Sequence, residues 1–169
     1  MRKRIMITAL LSAVLLLLSA GCGTGKKDQV SEPAAKVIDA MMTCPNKDLF
    51  DLDAAVVLGA PADPQQAEKA QQILQNWEDA IGKYFADGTL QQAYNNSLLQ
   101  LYLGRAAALD QTISVKATAL AGRQEFDTYS TESVDVTLTV GDEEEKATVD
   151  FTYDADGLIT EVIAQQAAN

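Results

Sequence analysis

Apolar residues recur at two different spacings along this chain, and the change falls near Asp110. Before it they return every three to four residues. Ala34, Val37, Ile38 and Met41 predict a short amphipathic helix that stops near Cys44-Pro45. Lys47 to Leu58 predicts a second helix, with Asn46 as its cap and Gly59-Ala60-Pro61 as its end. Asp63-Pro64-Gln65-Gln66 carries cap, first-turn and third-position start signals. The stripe Ala67, Ala70, Leu74, Trp77, Ile81 and Tyr84 follows at helical spacing. Asp87-Gly88 breaks that helix. Thr89 and Gln92 read as a capping box, opening a helix with Leu90, Tyr94, Leu98 and Leu101 on one side.

After Asp110 the period becomes two. Ile113, Val115, Ala117 and Ala119 alternate with polar residues, and Gly122-Arg123 reads as a turn. Glu125 to Val140 reads as one bent strand or two short ones, with Val134, Val136, Leu138 and Val140 facing one way. Gly141-Asp142-Glu143-Glu144 reads as a turn. Ala147, Val149, Phe151 and Tyr153 form the next strand, and Asp154-Ala155-Asp156-Gly157 turns into a last one, Leu158 to Ala164. The predicted fold class is α+β: N-terminal helices packed on a four-stranded, mostly antiparallel meander sheet with a threonine-rich face left open.

The first 21 residues follow neither pattern. Arg2, Lys3 and Arg4 precede an uncharged run from Ile5 to Ala20, and small residues lead up to Cys22. A basic start, an apolar stretch and a small-residue site are the parts of a secretory signal. The run is shorter than the ~20 residues usually needed to span a bilayer. Leu18-Ser19-Ala20-Gly21-Cys22 resembles the lipobox of bacterial lipoproteins, with Ser19 where that family usually has leucine. The resemblance implies cleavage before Cys22 and a diacylglyceryl group on its thiol, so that the chain is anchored in a membrane on the extracytoplasmic side, with palmitate-like acyl chains. Two acyl chains hold stably where one binds reversibly. The expected organisation is a signal peptide over 1–21, a lipidated cysteine and polar tether over 22–32, and one domain over 33–169. Ten flexible residues span roughly 17 Å root-mean-square, which keeps the domain close to the bilayer. Lys26 and Lys27 lie nearest the lipid.

Charge and composition narrow the function. The net charge is −11, and removing residues 1–21 takes three of the 13 basic residues and none of the 24 acids, leaving −14. Nucleic acid binding needs a basic footprint and is excluded. So is adhesion of the domain itself to anionic lipid. There is no histidine, which excludes Ser-His-Asp and Cys-His catalysis and histidine-bound metals. Once Cys22 carries lipid, Cys44 is the remaining thiol, and no intrachain disulfide forms. Cys44 lacks a histidine base and reads as a small buried residue.

Other candidates reduce to structure. Asp154 to Ile159 has the middle of a calcium loop, but Thr152 and Ile163 occupy its end ligand positions, so it reads as a hairpin turn. Asp142 to Glu145 reads as a solvated turn, and Asp48, Asp51 and Asp53 as acids favouring a helix N-terminus. Asn95-Asn96-Ser97 matches a glycosylation sequon within a helix and carries no weight. No metal or cofactor is implied. Trp77, Tyr84, Tyr94 and Tyr102 are the candidate ligand-binding residues, because aromatics with polar tips on neighbouring helices suit a small cavity; the alternative is that they are core.

The order of elements is similar to the nuclear transport factor 2-like group and, more loosely, to cystatin-like folds. Val149 to Ile159 resembles that group's closing hairpin. The resemblance covers roughly residues 33–166 and implies helices packed into the concave side of a curved sheet. Its catalytic members use a pocket His–Asp pair, which this chain lacks. The expectation is a non-catalytic, lipid-anchored domain that binds a small apolar or peptide ligand, or an envelope protein across the open sheet face; a homodimer is left open. The alternative is an enzyme using Asp/Tyr acid–base chemistry in the helix–sheet cavity. The binding subunit of a solute importer is disfavoured by length.

Overall fold

A computed structural model describes residues 29–46, 49 and 64–166. The signal segment, Cys22, most of the tether and the helix expected over Lys47–Leu58 lie outside the described residues. The described residues form an α+β arrangement of four α-helices followed by a four-stranded antiparallel sheet in the order β1-β2-β3-β4. Among them no helix is long and apolar enough to cross a membrane.

Helix α1 (Glu32–Met42) starts at Ser31, whose Oγ accepts from the Ala34 amide at 3.3 Å, with Pro33 in the first turn. It buries Ala34, Val37, Ile38, Met41 and Met42, one face at helical spacing, and packs beside β1. Each large side chain so buried contributes roughly 1.5–3 kcal/mol relative to exposure. Cys44 then exchanges both backbone hydrogen bonds with Ile113, which pins the end of α1 to the start of the sheet. The Cys44–Pro45 peptide is cis.

Helix α2 (Pro64–Ile81) is a single 18-residue helix that buries Ile73, Trp77 and Ile81. Trp77 and Ile81 lie on the expected stripe, while Leu74 is only half-buried and Ile73 takes the inward place beside it. A 3-10 turn, Gly82–Tyr84, carries the chain out of it.

The expected helix from Thr89 to Leu101 is two helices. α3 (Thr89–Asn95) ends at Asn96, Ser97 adopts φ 60°, and α4 (Leu101–Leu109) follows a 3-10 turn. Asn and Ser compete with the helix ladder through their own side chains, which makes Asn95-Asn96-Ser97 a natural break. The break rotates the next segment: Leu99, Gln100, Tyr102, Leu103 and Ala106 turn inward and Leu101 is left 44% exposed. The expected capping box is not formed either. Gly88, at φ 76°, is the cap residue, Thr89 is already helical, and no side chain caps the end. A positive φ suits glycine, and it sets the chain direction there.

Strand β1 (Ile113–Glu125) is longer than expected and contains Gly122-Arg123; the turn lies at Phe126–Thr128, where Phe126 stacks on Tyr129 at 4.4 Å. Glu125 therefore belongs to β1, and β2 (Tyr129–Val140) is one strand. Two register shifts interrupt β1, between Val115 and Ala117 and between Leu120 and Gly122. Each inserts an unpaired residue and reverses which parity faces the core. Ala117 and Ala119 are accordingly paired with outward-phase Thr137 and Asp135, against the simple alternation expected, while Arg123 pairs with Glu132. Bulges also protect this long edge strand from pairing with other chains.

Gly141 (φ 58°) and Asp142 alone turn the chain into β3 (Glu143–Asp154), so the three glutamates expected in a turn are strand residues. Asp154 holds the last turn by accepting from the Asp156 and Leu158 amides, the hairpin role expected for it, and β4 (Ile159–Gln166) completes the sheet. Val134, Val136, Leu138, Val140, Ala147, Val149, Phe151 and Ile159 join the helices in one core. The opposite face is a polar lattice in which Ser133 donates to Asp150 and Thr148 to Asp135.

Candidate functional site

The four candidate aromatics separate into two pairs. Trp77 and Tyr102 have no solvent exposure. Burial pushes the Tyr102 hydroxyl above its ordinary pKa, and among the described residues neither its oxygen nor Trp77 Nε1 has a hydrogen-bond partner. Tyr84 and Tyr94 are half-buried: Tyr84 donates to Glu32 at 3.1 Å, and Tyr94 donates to the Ala70 carbonyl at 3.3 Å. Four clefts among the described residues, of about 220 to 640 Å³, are lined by other side chains. Cys44 is buried, with burial pushing its thiol up to about 12, which leaves it protonated and unreactive at neutral pH. Among the described residues no group of three His, Cys, Asp or Glu side chains is placed to hold a metal ion.

Chemistry concentrates instead just before α1, at Gln29 to Ser31. Glu132 is in phase with Val134 and Val136 on the core face of β2, and its side chain is 1% exposed. Its Oε1 accepts from the Ser31 amide at 2.8 Å and from Arg123 Nη2 at 2.9 Å; Oε2 accepts from the Tyr153 hydroxyl at 2.9 Å. Arg123 Nη2 also donates to the Gln29 carbonyl at 3.1 Å. Tyr153 gives its single proton to Glu132, so the 3.0 Å contact between Ser31 Oγ and Tyr153 Oη has serine as donor. Ser31 Oγ in turn accepts from Ala34 at the start of α1. The network thus links three strands to the α1 cap and to Gln29 just before it. Burial and the adjacent Glu132 charge hold the Tyr153 hydroxyl above its ordinary value, partly offset by Ser31 and Arg123.

An open cleft of about 640 Å³ lies over this network, between the Gln29–Pro33 segment and the sheet. Both oxygens of the carboxylate at its base are already taken by an ion pair and neutral donors. A tyrosine whose proton is committed to that carboxylate, and whose hydroxyl burial holds above its ordinary value, is a weak acid at neutral pH. The arrangement is suited to holding the chain rather than to moving protons.

A second ion pair, Arg105–Glu145 at 2.6 Å, joins α4 to β3 beside Tyr102. Its hydrogen bond holds Glu145 below the usual carboxylate range and raises Arg105. Glu144 pairs with Lys116 of β1. The acidic run after Gly141 is therefore partly tied down rather than free in a turn.

A groove of about 470 Å³ separates α3 from β4. Leu101 and Ile163, each 44% exposed, lie along it.

Sequence reasoning missed Glu132, Arg123 and Ser31. Glu132 had a legible signal, an acid two residues ahead of Val134 and in the same strand phase. Arg123 had none, because Gly122-Arg123 reads as a turn, whereas it lies within β1 opposite Glu132. No family model, curated protein or solved structure matches the chain.

Proposed function

We propose that this chain is a lipid-anchored, extracytoplasmic binding domain of a bacterial envelope, without catalytic activity of its own. In this reading Cys22 carries the lipid and the mature chain begins there. A layer of N-terminal helices covers the sheet in the manner of nuclear transport factor 2-like domains. The domain binds an apolar or peptide ligand, or a neighbouring envelope protein. The observation that carries the reading is the use of Glu132. Among the described residues it is the single buried carboxylate, and its hydrogen bonds fasten the root of the tether. Such a fastening suits a chain held at one end by a membrane. Gln29 lies seven residue steps after Cys22, so the fastened point stands at most ~25 Å from the lipid, even with the chain fully extended.

Mass spectrometry of the N-terminal tryptic peptide tests the anchor. The expected species starts at Cys22, ends at Lys26 and carries a diacylglyceryl group. Cys22→Ser should abolish the modification and leave residues 1–21 uncleaved. An unmodified Cys22 in membrane-associated protein refutes the proposal.

A buried acid beside a tyrosine hydroxyl at an open cleft favours the second reading, acid–base catalysis, with Glu132 in place of the expected aspartate. Saturation of that carboxylate by Arg123, Ser31 and Tyr153 weighs against it.

A further inference from the structure

The groove between α3 and β4 has an unusual lining. On the strand side it is lined by every residue from Thr160 to Ala164. Successive strand residues point to opposite faces, so a cleft on one face touches every second one. A cleft that touches five in a row runs along the strand's edge. On the other side Thr89, Gln92, Ala93 and Asn96 stand at helical spacing on one face of α3, continued by Leu98 and Leu101.

β4 is the last strand of the sheet. Its outer edge makes one isolated bridge, between Phe85 and Ile159, and the Ala86 amide donates to the Ile159 carbonyl. Beyond Ile159, no described residue pairs with that edge. Alternate N–H and C=O groups there lack a ladder partner. This edge has one register shift, at its start, whereas the opposite edge has two bulges. Of the five large apolar side chains exposed among the described residues, two, Leu101 and Ile163, line this groove.

We infer that the groove between α3 and β4 takes an extended polypeptide segment as a fifth strand against β4. The inference deepens the binding-domain reading by naming the ligand class, and rests on it for its biological setting. A peptide backbone is the ligand whose donors and acceptors repeat at the spacing of a strand edge. Alternate side chains of the segment would meet Leu98, Leu101 and Ile163. Five strand residues at ~3.4 Å each offer a run of about 17 Å. Glu161 is the single charged residue in the lining and the chain is strongly acidic, so a segment with flanking basic residues fits and an acidic one is repelled. A second copy of this domain fits poorly, since its own α3 stands beside its β4 and would meet this one's α3.

The test uses the full chain in detergent micelles. The probe is a blocked nine-residue peptide of alternating valine and threonine with lysine at both ends. Its counterpart has every central amide N-methylated, keeping the side chains and losing the backbone donors. Binding is read by fluorescence anisotropy, and the site by hydrogen exchange. The expected result is saturable binding, slowed exchange confined to residues 160–166, and at least tenfold weaker binding of the methylated peptide. Ala93→Phe should narrow the groove and weaken binding to a similar degree, with an unchanged Trp77 emission spectrum showing that the variant is folded. Equal binding of the two peptides, protection elsewhere, or no binding at millimolar peptide overturns the inference. So does slow exchange, without peptide, of those 160–166 amides that point away from β3: concentration-dependent protection would identify a second copy as the occupant, and concentration-independent protection the chain's own remaining residues. The mass of the N-terminal peptide is read on the same sample. A lipidated Cys22 without peptide binding removes this inference alone; an unlipidated chain that binds the probe removes the anchor and leaves the groove.

Discussion

Arg123→Met isolates the energetics of the tether root. The substitution keeps much of the side chain's volume and removes the countercharge from Glu132. The two partners are unequally buried: the Arg123 side chain is 24% exposed and that of Glu132 is 1% exposed. Removing the arginine therefore strands the charge that has no access to water. Breaking a buried pair in this way costs about 3–5 kcal/mol. The partial exposure of Arg123 places the expected cost near the lower end, about 3 kcal/mol. Glu132→Gln keeps the shape and two polar atoms but turns charge-assisted hydrogen bonds into neutral ones, for an expected cost of about 2 kcal/mol. The double variant should cost about 2–3 kcal/mol rather than the sum, because removing the carboxylate's charge also removes the reason the arginine was needed. Urea unfolding, followed by the emission of the chain's single tryptophan, buried Trp77, measures all three. Exchange at the Ser31 amide, which donates to Glu132, should accelerate most in Arg123→Met. Additivity within about 0.5 kcal/mol, or an Arg123→Met cost under about 1 kcal/mol, refutes the reasoning.

Two further outcomes rest on the charges and the thiol. Cys44 should resist alkylation at pH 8 in the folded chain and react on unfolding, as thiol titration in urea will read. Burial raises its pKa from 9.0 to about 12, so this contribution is intact below pH 9 and is lost as pH rises towards 12, when the unfolded thiol ionises first. Arg105→Ala should cost at most about 1 kcal/mol, because both partners of its ion pair keep substantial exposure. Glu145 sits below its usual range, so the pair's stabilisation is present near neutrality and fades as pH falls through that lowered value. Acid unfolding midpoints of the two proteins should therefore converge, and a difference that widens in acid would contradict the assignment.

The sequence by itself determined which residues go inside and, in most segments, the kind of element they form. Periods near four and two are local properties of helix and strand, and they located α1, α2, the body of β2 and β3, and the Asp154 turn without regard to anything distant. It also supplied the exclusions that rest on composition, above all the missing histidine. Tertiary structure decided what depends on register. A bulge has no strong composition signal, yet one in β1 moves Ala117 and Ala119 off the core face and a second restores the phase by Arg123. The αL residue Ser97 likewise turned Tyr102 and Leu99 inward and left Leu101 on the groove. The tether root and the α3–β4 groove each join residues far apart in sequence, from Gln29 to Tyr153 and from Thr89 to Ala164. Such neighbourhoods are set by packing across the whole chain, where a shift of one residue in one strand changes every partner beyond it.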